Sequence, residues 1–230
     1  MIDFDLLARY GPRMLEGLVV TIQLVAVSIV LGGILAFPVA LARIARWRVV
    51  RWIAFGYVYF FRGTPLLAQV FLVYYGAGQF RAELESVGVW WFFRDAFNCA
   101  AFTFTLNTAA YQAEILRGAI LSVPAGQTEA ALSMGMRMPA IYYKVILPQA
   151  YIVALRPLGN EIILMIKGSA IASVITVFDL MGATRLAFAR SFDFQVYLWA
   201  AVLYLVIVET LRRVWDRLEQ RLTRHLKMAN

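Results

Sequence analysis

Histidine and cysteine are almost absent from this 230-residue chain, where His225 and Cys99 stand alone. One cysteine excludes an internal disulfide and leaves the redox compartment open. A lone histidine far from a lone cysteine makes no zinc or haem ligand set. His225 lies in a basic tail, where it reads as a solvated residue and not as part of a Ser-His-Asp arrangement. Lysine is scarce too. A phosphate-cradling Walker A loop needs Gly-Lys-Ser/Thr, but Lys144, Lys167 and Lys227 are followed by Val, Gly and Met. The chain therefore does not bind ATP in that way, and no metal or other cofactor is expected on it. Charged residues make up only 16%, and there is no low-complexity linker and no internal repeat.

What fills the chain is apolar. Hydrophobic residues account for 62%, and the mean hydropathy is +0.70. Both values point to an all-α integral membrane protein with several spans, since one crossing takes about 20 mostly apolar residues. Too little remains for a separate soluble domain, so residues 1–230 read as one membrane unit. The net charge of +8 does not imply nucleic acid, because the basic residues flank apolar runs as topology signals do. The amino terminus carries Asp3 and Asp5 where a cleavable signal would be positive, and its apolar run is too long for one.

Five spans follow, at residues 15–41, 53–78, 98–120, 150–167 and 195–211. Arg43, Arg46, Arg48 and Arg51 follow the first without an acidic residue among them, which marks that end as cytoplasmic and the amino terminus as external. Gly32, Gly33 and Pro38 are expected points of close packing or bending in this span. In the second, Arg62-Gly63-Thr64-Pro65 is expected to bend or break the helix. An external stretch then carries Arg81 and Arg94 against Glu83, Glu85 and Asp95, with an aromatic cluster at residues 90–93. In the third span Asn107, Tyr111 and Glu114 share one helical face. Glu114 reads either as an intramembrane carboxylate or as an interfacial one. The fourth, AYIVALRPLGNEIILMIK, is interrupted by Arg156-Pro157, Gly159, Asn160 and Glu161, and broken helices at that depth are where transporters place substrate. Asn160 and Glu161 can equally make contacts between helices, with Arg156 as a partner. Residues 168–194 read as external, with a partial or re-entrant helix. The tail from Arg212 to Lys227 holds six basic residues against two acidic ones, and is expected to be helical and cytoplasmic.

Between the third and fourth spans lies TEAALSMGMRMPAIYYKVILP, residues 128–148. Glu129 falls in a first helical turn, where the helix dipole favours a carboxylate. Gly135 ends that helix, Pro139 starts a second, and Pro148 closes it. This stretch resembles the EAA loop of permease subunits of ABC importers, whose pattern is Glu-Ala-Ala, three residues, Gly, nine residues, Ile, one residue, Leu-Pro. Glu129, Ala130, Ala131, Gly135, Leu147 and Pro148 meet it, with Val145 in place of the Ile. The segments RGTPL, AYQAEILRGAI and GNEIILMIK are similar to the polar amino acid branch, which includes histidine, arginine, ornithine and opine importers.

The resemblance implies a division of labour. An external or periplasmic binding protein delivers an amino acid to two permease subunits in a bacterial inner membrane, this chain paired with a sister chain or with itself. Two cytoplasmic ATPase subunits, which carry ATP and Mg, close and drive the spans through the loop. The implied coupling residues are Glu129, Ala130, Ala131, Gly135, Leu147 and Pro148. Asn160 and Glu161, then Tyr111 and Glu114, are the candidates for the translocation path, where a carboxylate suits a cationic amino acid. Another amino acid, such as glutamine or glutamate, remains an alternative cargo. Two other classes fit the same composition: an ATPase-independent secondary transporter or channel, and a membrane-embedded scaffold.

Overall fold

A computed structural model describes residues 4–224, so His225 and Lys227 lie outside the described residues. Among the described residues the secondary structure is entirely helical. Helix α1 (Phe4–Ile44) is a single 41-residue rod, which begins eleven residues before the expected first span and carries Pro12 and Pro38 without a break. It lies along α6 (Ala96–Leu121), and this is the most extensive packing in the molecule. Small residues make the approach possible. A Cβ on Gly32 would overlap the Thr108 methyl, and one on Gly33 would stand 3.1 Å from Gln112 Oε1.

The expected second span is two helices, α2 (Arg48–Gly63) and α3 (Leu66–Gln79). Thr64, in front of Pro65, is extended at φ −113° and ψ 147°, as the proline ring requires of its predecessor. Two short helices follow, α4 (Arg81–Ser86) and α5 (Trp90–Phe93). Asp95 then caps α6, its carboxylate accepting from the Asn98 amide at 2.9 Å.

Helix α7 (Ala125–Ser133) begins earlier than expected, so Glu129 is its fifth residue and not in its first turn, but it ends where the spacing predicts. The Gly135 amide donates to the Leu132 carbonyl at 2.9 Å and the Met136 amide to the Ala131 carbonyl at 3.1 Å. That pair of bonds is a Schellman motif, and it holds Gly135 at φ +78°. Helix α8 (Met138–Ile141) holds Pro139 in its first turn, also as expected. Pro148 does not close it. A π turn over Tyr142–Ile146, in which the Leu147 amide reaches the Tyr142 carbonyl, carries the backbone into α9 (Leu147–Gly168). The wider turn accommodates a residue that has no amide to give. Pro157 likewise leaves α9 continuous, so the interruption expected in the fourth span is absent.

A 3₁₀ turn (Ser169–Ile175) follows and ends on Thr176 at φ +71°, and Asp179 caps α10 (Leu180–Ser191) by accepting from the Gly182 amide at 2.9 Å. Helix α11 (Gln195–Leu222) runs from the fifth apolar stretch well into the basic tail. Among the described residues three stretches are long and apolar enough to cross a membrane: Asp5–Ile44, Met138–Ile175 and Gln195–Leu222. Helices α2 and α3 have 16 and 14 residues, each too short to cross alone. Helix α6 has the length, with 26 residues, but buries Asn107, Thr108 and Gln112 against its neighbours.

Candidate functional site

The carbonyl released at the break between α2 and α3 finds new donors. Pro65 cannot donate to the Phe61 carbonyl as a helical residue would, so that acceptor needs other donors. Gln69 Nε2 supplies one at 2.9 Å and Asn107 Nδ2 another at 3.1 Å. Gln69 Nε2 also reaches the Thr64 carbonyl and hydroxyl, while its Oε1 accepts from Asn107 at 2.9 Å. The broken end is thus tied to the middle of α6 by two buried amide side chains.

Beside this knot is a cavity of about 190 Å³ lined by Thr64, Leu66, Asn107, Tyr111, Glu161, Leu164 and Met165. Glu161 is its one carboxylate. It is 6% exposed and accepts a hydrogen bond from Thr108 Oγ1 at 2.9 Å. Thr108 in turn accepts from Gln112 Nε2 at 3.1 Å, and Gln112 also donates to the Ile29 carbonyl. This chain of donors fixes the carboxylate from α6 and α1 and leaves acceptor capacity on the cavity side. The Arg62 guanidinium lies over the Tyr111 ring, 5.3 Å from its centroid.

The four path candidates from the sequence do not meet at one place. Tyr111 and Glu161 line this cavity together. Asn160, one step round the helix, is exposed and faces a separate cleft of about 270 Å³ with Arg156, Gly159, Trp215, Asp216 and Glu219. Arg156 pairs with Glu219 at 2.6 Å and not with Glu161. Glu114 sits at the far end of α6, between Arg117 and Arg43, with the latter at 3.4 Å. There it closes the end of α1 against α6. Gln69 is not among the residues the sequence points to, because a glutamine in an apolar run carries little local signal. Its position four residues after a proline was the available clue.

The 128–148 stretch divides into two faces. Ala131 is 2% exposed and packs with Ile141, Ile146, Leu116, Ile120, Ala36 and Ala40, so it anchors the loop to the body. Glu129, Ala130, Gly135 and Pro148 are exposed, and Leu147 is half-buried. Leu132, Met134, Met138 and Tyr143 add large apolar side chains to the exposed face.

Comparison with known proteins places this geometry. The chain is 38% identical over 226 residues to the nopaline transport system permease protein NocM of Agrobacterium fabrum, covering 98% of this chain and 94% of that one. It is 37% identical over 215 residues to the histidine/lysine/arginine/ornithine transport system permease protein HisM of Escherichia coli K12, covering 93% and 90%. The crystal structure of an amino acid ABC transporter with histidines superposes with a TM-score of 0.86 at 33% identity, over 96% of this chain and 99% of that one. Residues 28–224 match the model of the family described as binding-protein-dependent transport system inner membrane component. The chain belongs to that family, as the permease subunit of an amino-acid or opine ABC importer.

Proposed function

We propose that this permease carries a basic amino acid or an opine, and that the substrate's cationic group meets Glu161 on the way through. The supporting observation is a buried carboxylate, held by Thr108 and turned to a cavity beside a helix break. An ammonium or guanidinium group leaving water needs such a partner. Arg62, over Tyr111 at the same place, offers a counterpart for a substrate carboxylate. The substrates in the names of NocM and HisM point to the same class.

In this reading five segments cross the bacterial inner membrane: α1, the α2–α3 pair, α6, α9 and α11. The amino terminus is external and the carboxy terminus cytoplasmic, as the arginines after the first apolar run favour. Residues 128–148 then face the cytoplasm. Glu129 and Ala130, with the exposed apolar side chains around Gly135, enter a cleft on an ATPase subunit that carries ATP and Mg. A second permease subunit and an external binding protein complete the importer. ATP closure biases a two-state membrane unit through differential contacts at this loop.

The test is ATP-driven uptake of labelled arginine into proteoliposomes holding the whole importer, with Glu161→Gln compared against the unaltered chain. Uptake of the cationic substrate is expected to fall at least tenfold while basal ATP hydrolysis is unchanged. Unaltered uptake would remove Glu161 from the path. Uptake without ATP would favour the secondary-transporter class.

A further inference from the structure

At the end of the molecule where α1 begins, three arginines surround one cavity of about 390 Å³, lined by Arg9, Tyr10, Arg13 and Arg190. Arg9 and Arg13 are one turn apart on α1, and Arg190 comes from the last turn of α10. The scaffold beneath them is rigid, for Tyr10 and Met14 are buried with Leu180, Ala187, Val196 and Ala200. Among the described residues none of the three arginines forms an ion pair, whereas six other arginines do. Arg9 instead lies over the Tyr10 ring, 5.5 Å from the centroid. Three guanidinium groups converging on one hollow repel each other, and an anion with several oxygens relieves that repulsion.

The position of the cavity identifies the anion. Arg13 stands two residues before Leu15, where the long apolar run of α1 starts, and Leu15 and Val19 are half exposed just beyond it. On the other side Phe192 and Phe194, 79% and 74% exposed, follow Arg190 directly. Large apolar side chains at that exposure, beside a basic cluster and next to an apolar wall, suit the boundary between headgroups and acyl chains of a bilayer. We propose that Arg9, Arg13 and Arg190 bind the phosphate of an anionic phospholipid, whose chains run down the exposed wall of α1. The site rests on α1 being a membrane span and does not depend on which side the amino terminus lies. It is separate from the Glu161 cavity.

The test uses the whole importer in detergent and follows thermal unfolding while phosphatidylglycerol is titrated in. The unaltered complex and an Arg81→Gln control are expected to gain several degrees with phosphatidylglycerol and much less with phosphatidylcholine. In Arg9→Gln/Arg13→Gln/Arg190→Gln the half-saturating lipid concentration is expected to rise at least tenfold, and the three corresponding Lys substitutions are expected to restore part of it. An equal response of the Gln variant to phosphatidylglycerol would overturn the proposal. So would full stabilisation by inorganic phosphate alone, which would make the hollow a free-anion site. Loss of binding-protein-stimulated ATP hydrolysis in the Gln variant, with lipid response intact, would reassign the arginines to a protein contact. Uptake through Glu161 is a separate readout, so failure of either idea is distinguishable from failure of the other.

Discussion

Two prolines in apolar stretches behave in opposite ways. At Pro65 the helix stops, turns through an extended Thr64 and restarts. At Pro157 it runs on unbroken. The difference is in the neighbours and not in the proline. The carbonyl freed by Pro65 is claimed by Gln69 and Asn107, so the released acceptor is satisfied and the break is held against α6. Around Pro157 tertiary packing holds the helix continuous. Gly159 accepts the Trp215 indole against its backbone, and Trp215 Nε1 donates to the Leu155 carbonyl at 2.9 Å. A proline breaks a helix where something else satisfies the released group, and is tolerated where tertiary contacts resist the bend.

That contrast can be broken most severely at Gly159. Gly159→Leu would drive a side chain into the Trp215 ring, and a destabilisation of about 3 kcal/mol is expected, as for overpacking at a close helix contact. The unfolding midpoint of the detergent-solubilised importer measures it, together with the yield of chain in the membrane. Next in size, Asn107→Leu leaves the Gln69 amide without its buried partner and weakens the knot at Phe61. About 2 kcal/mol is expected for an unsatisfied buried polar group, and arginine uptake is expected to fall with it because the cavity wall moves.

A smaller effect is expected at Gly135, where φ is +78° but nothing lies within 4 Å of an added Cβ. Gly135→Ala should cost about 1 kcal/mol through the backbone alone. Its diagnostic readout is ATPase copurification, expected to drop more than the unfolding midpoint does. The smallest effect sharpens the contrast itself. Pro157→Ala restores one hydrogen bond in an already continuous helix, and a shift within about 0.5 kcal/mol is expected with uptake unchanged. A large change there would show that Pro157 stores strain within the continuous helix.

Much of the loop was legible locally. Gly135 and Pro139 act through their own backbone restrictions, so the end of α7 and the start of α8 followed from residue type and spacing. Asp95 and Asp179 cap helices for a similar short-range reason. Pro148 misled because its local preference to begin or end a helix was overridden by the π turn at Tyr142–Ile146. The Glu161 cavity was half legible. A carboxylate in an apolar run announces itself, but its neighbour Asn160 shares the sequence signal and ends up in a different cleft. Adjacent residues on a helix point about 100° apart, as 3.6 residues per turn require, so only the placement of α6 and α11 around α9 decides which of them sees which space.

By itself the sequence determined that this chain is helical and membrane-embedded, and it carried a pattern that resembles a docking loop. Those properties follow from composition, from spacing within a few turns and from the obligations of glycine and proline. The tertiary structure decided which proline breaks its helix, which alanine of the loop anchors and which is displayed, and which carboxylates meet arginine and which meet a cavity. Each of these depends on groups brought together from distant parts of the chain, such as Gln69 with Asn107 or Thr108 with Glu161. No local pattern encodes those pairings, because their energies exist only once the helices are side by side.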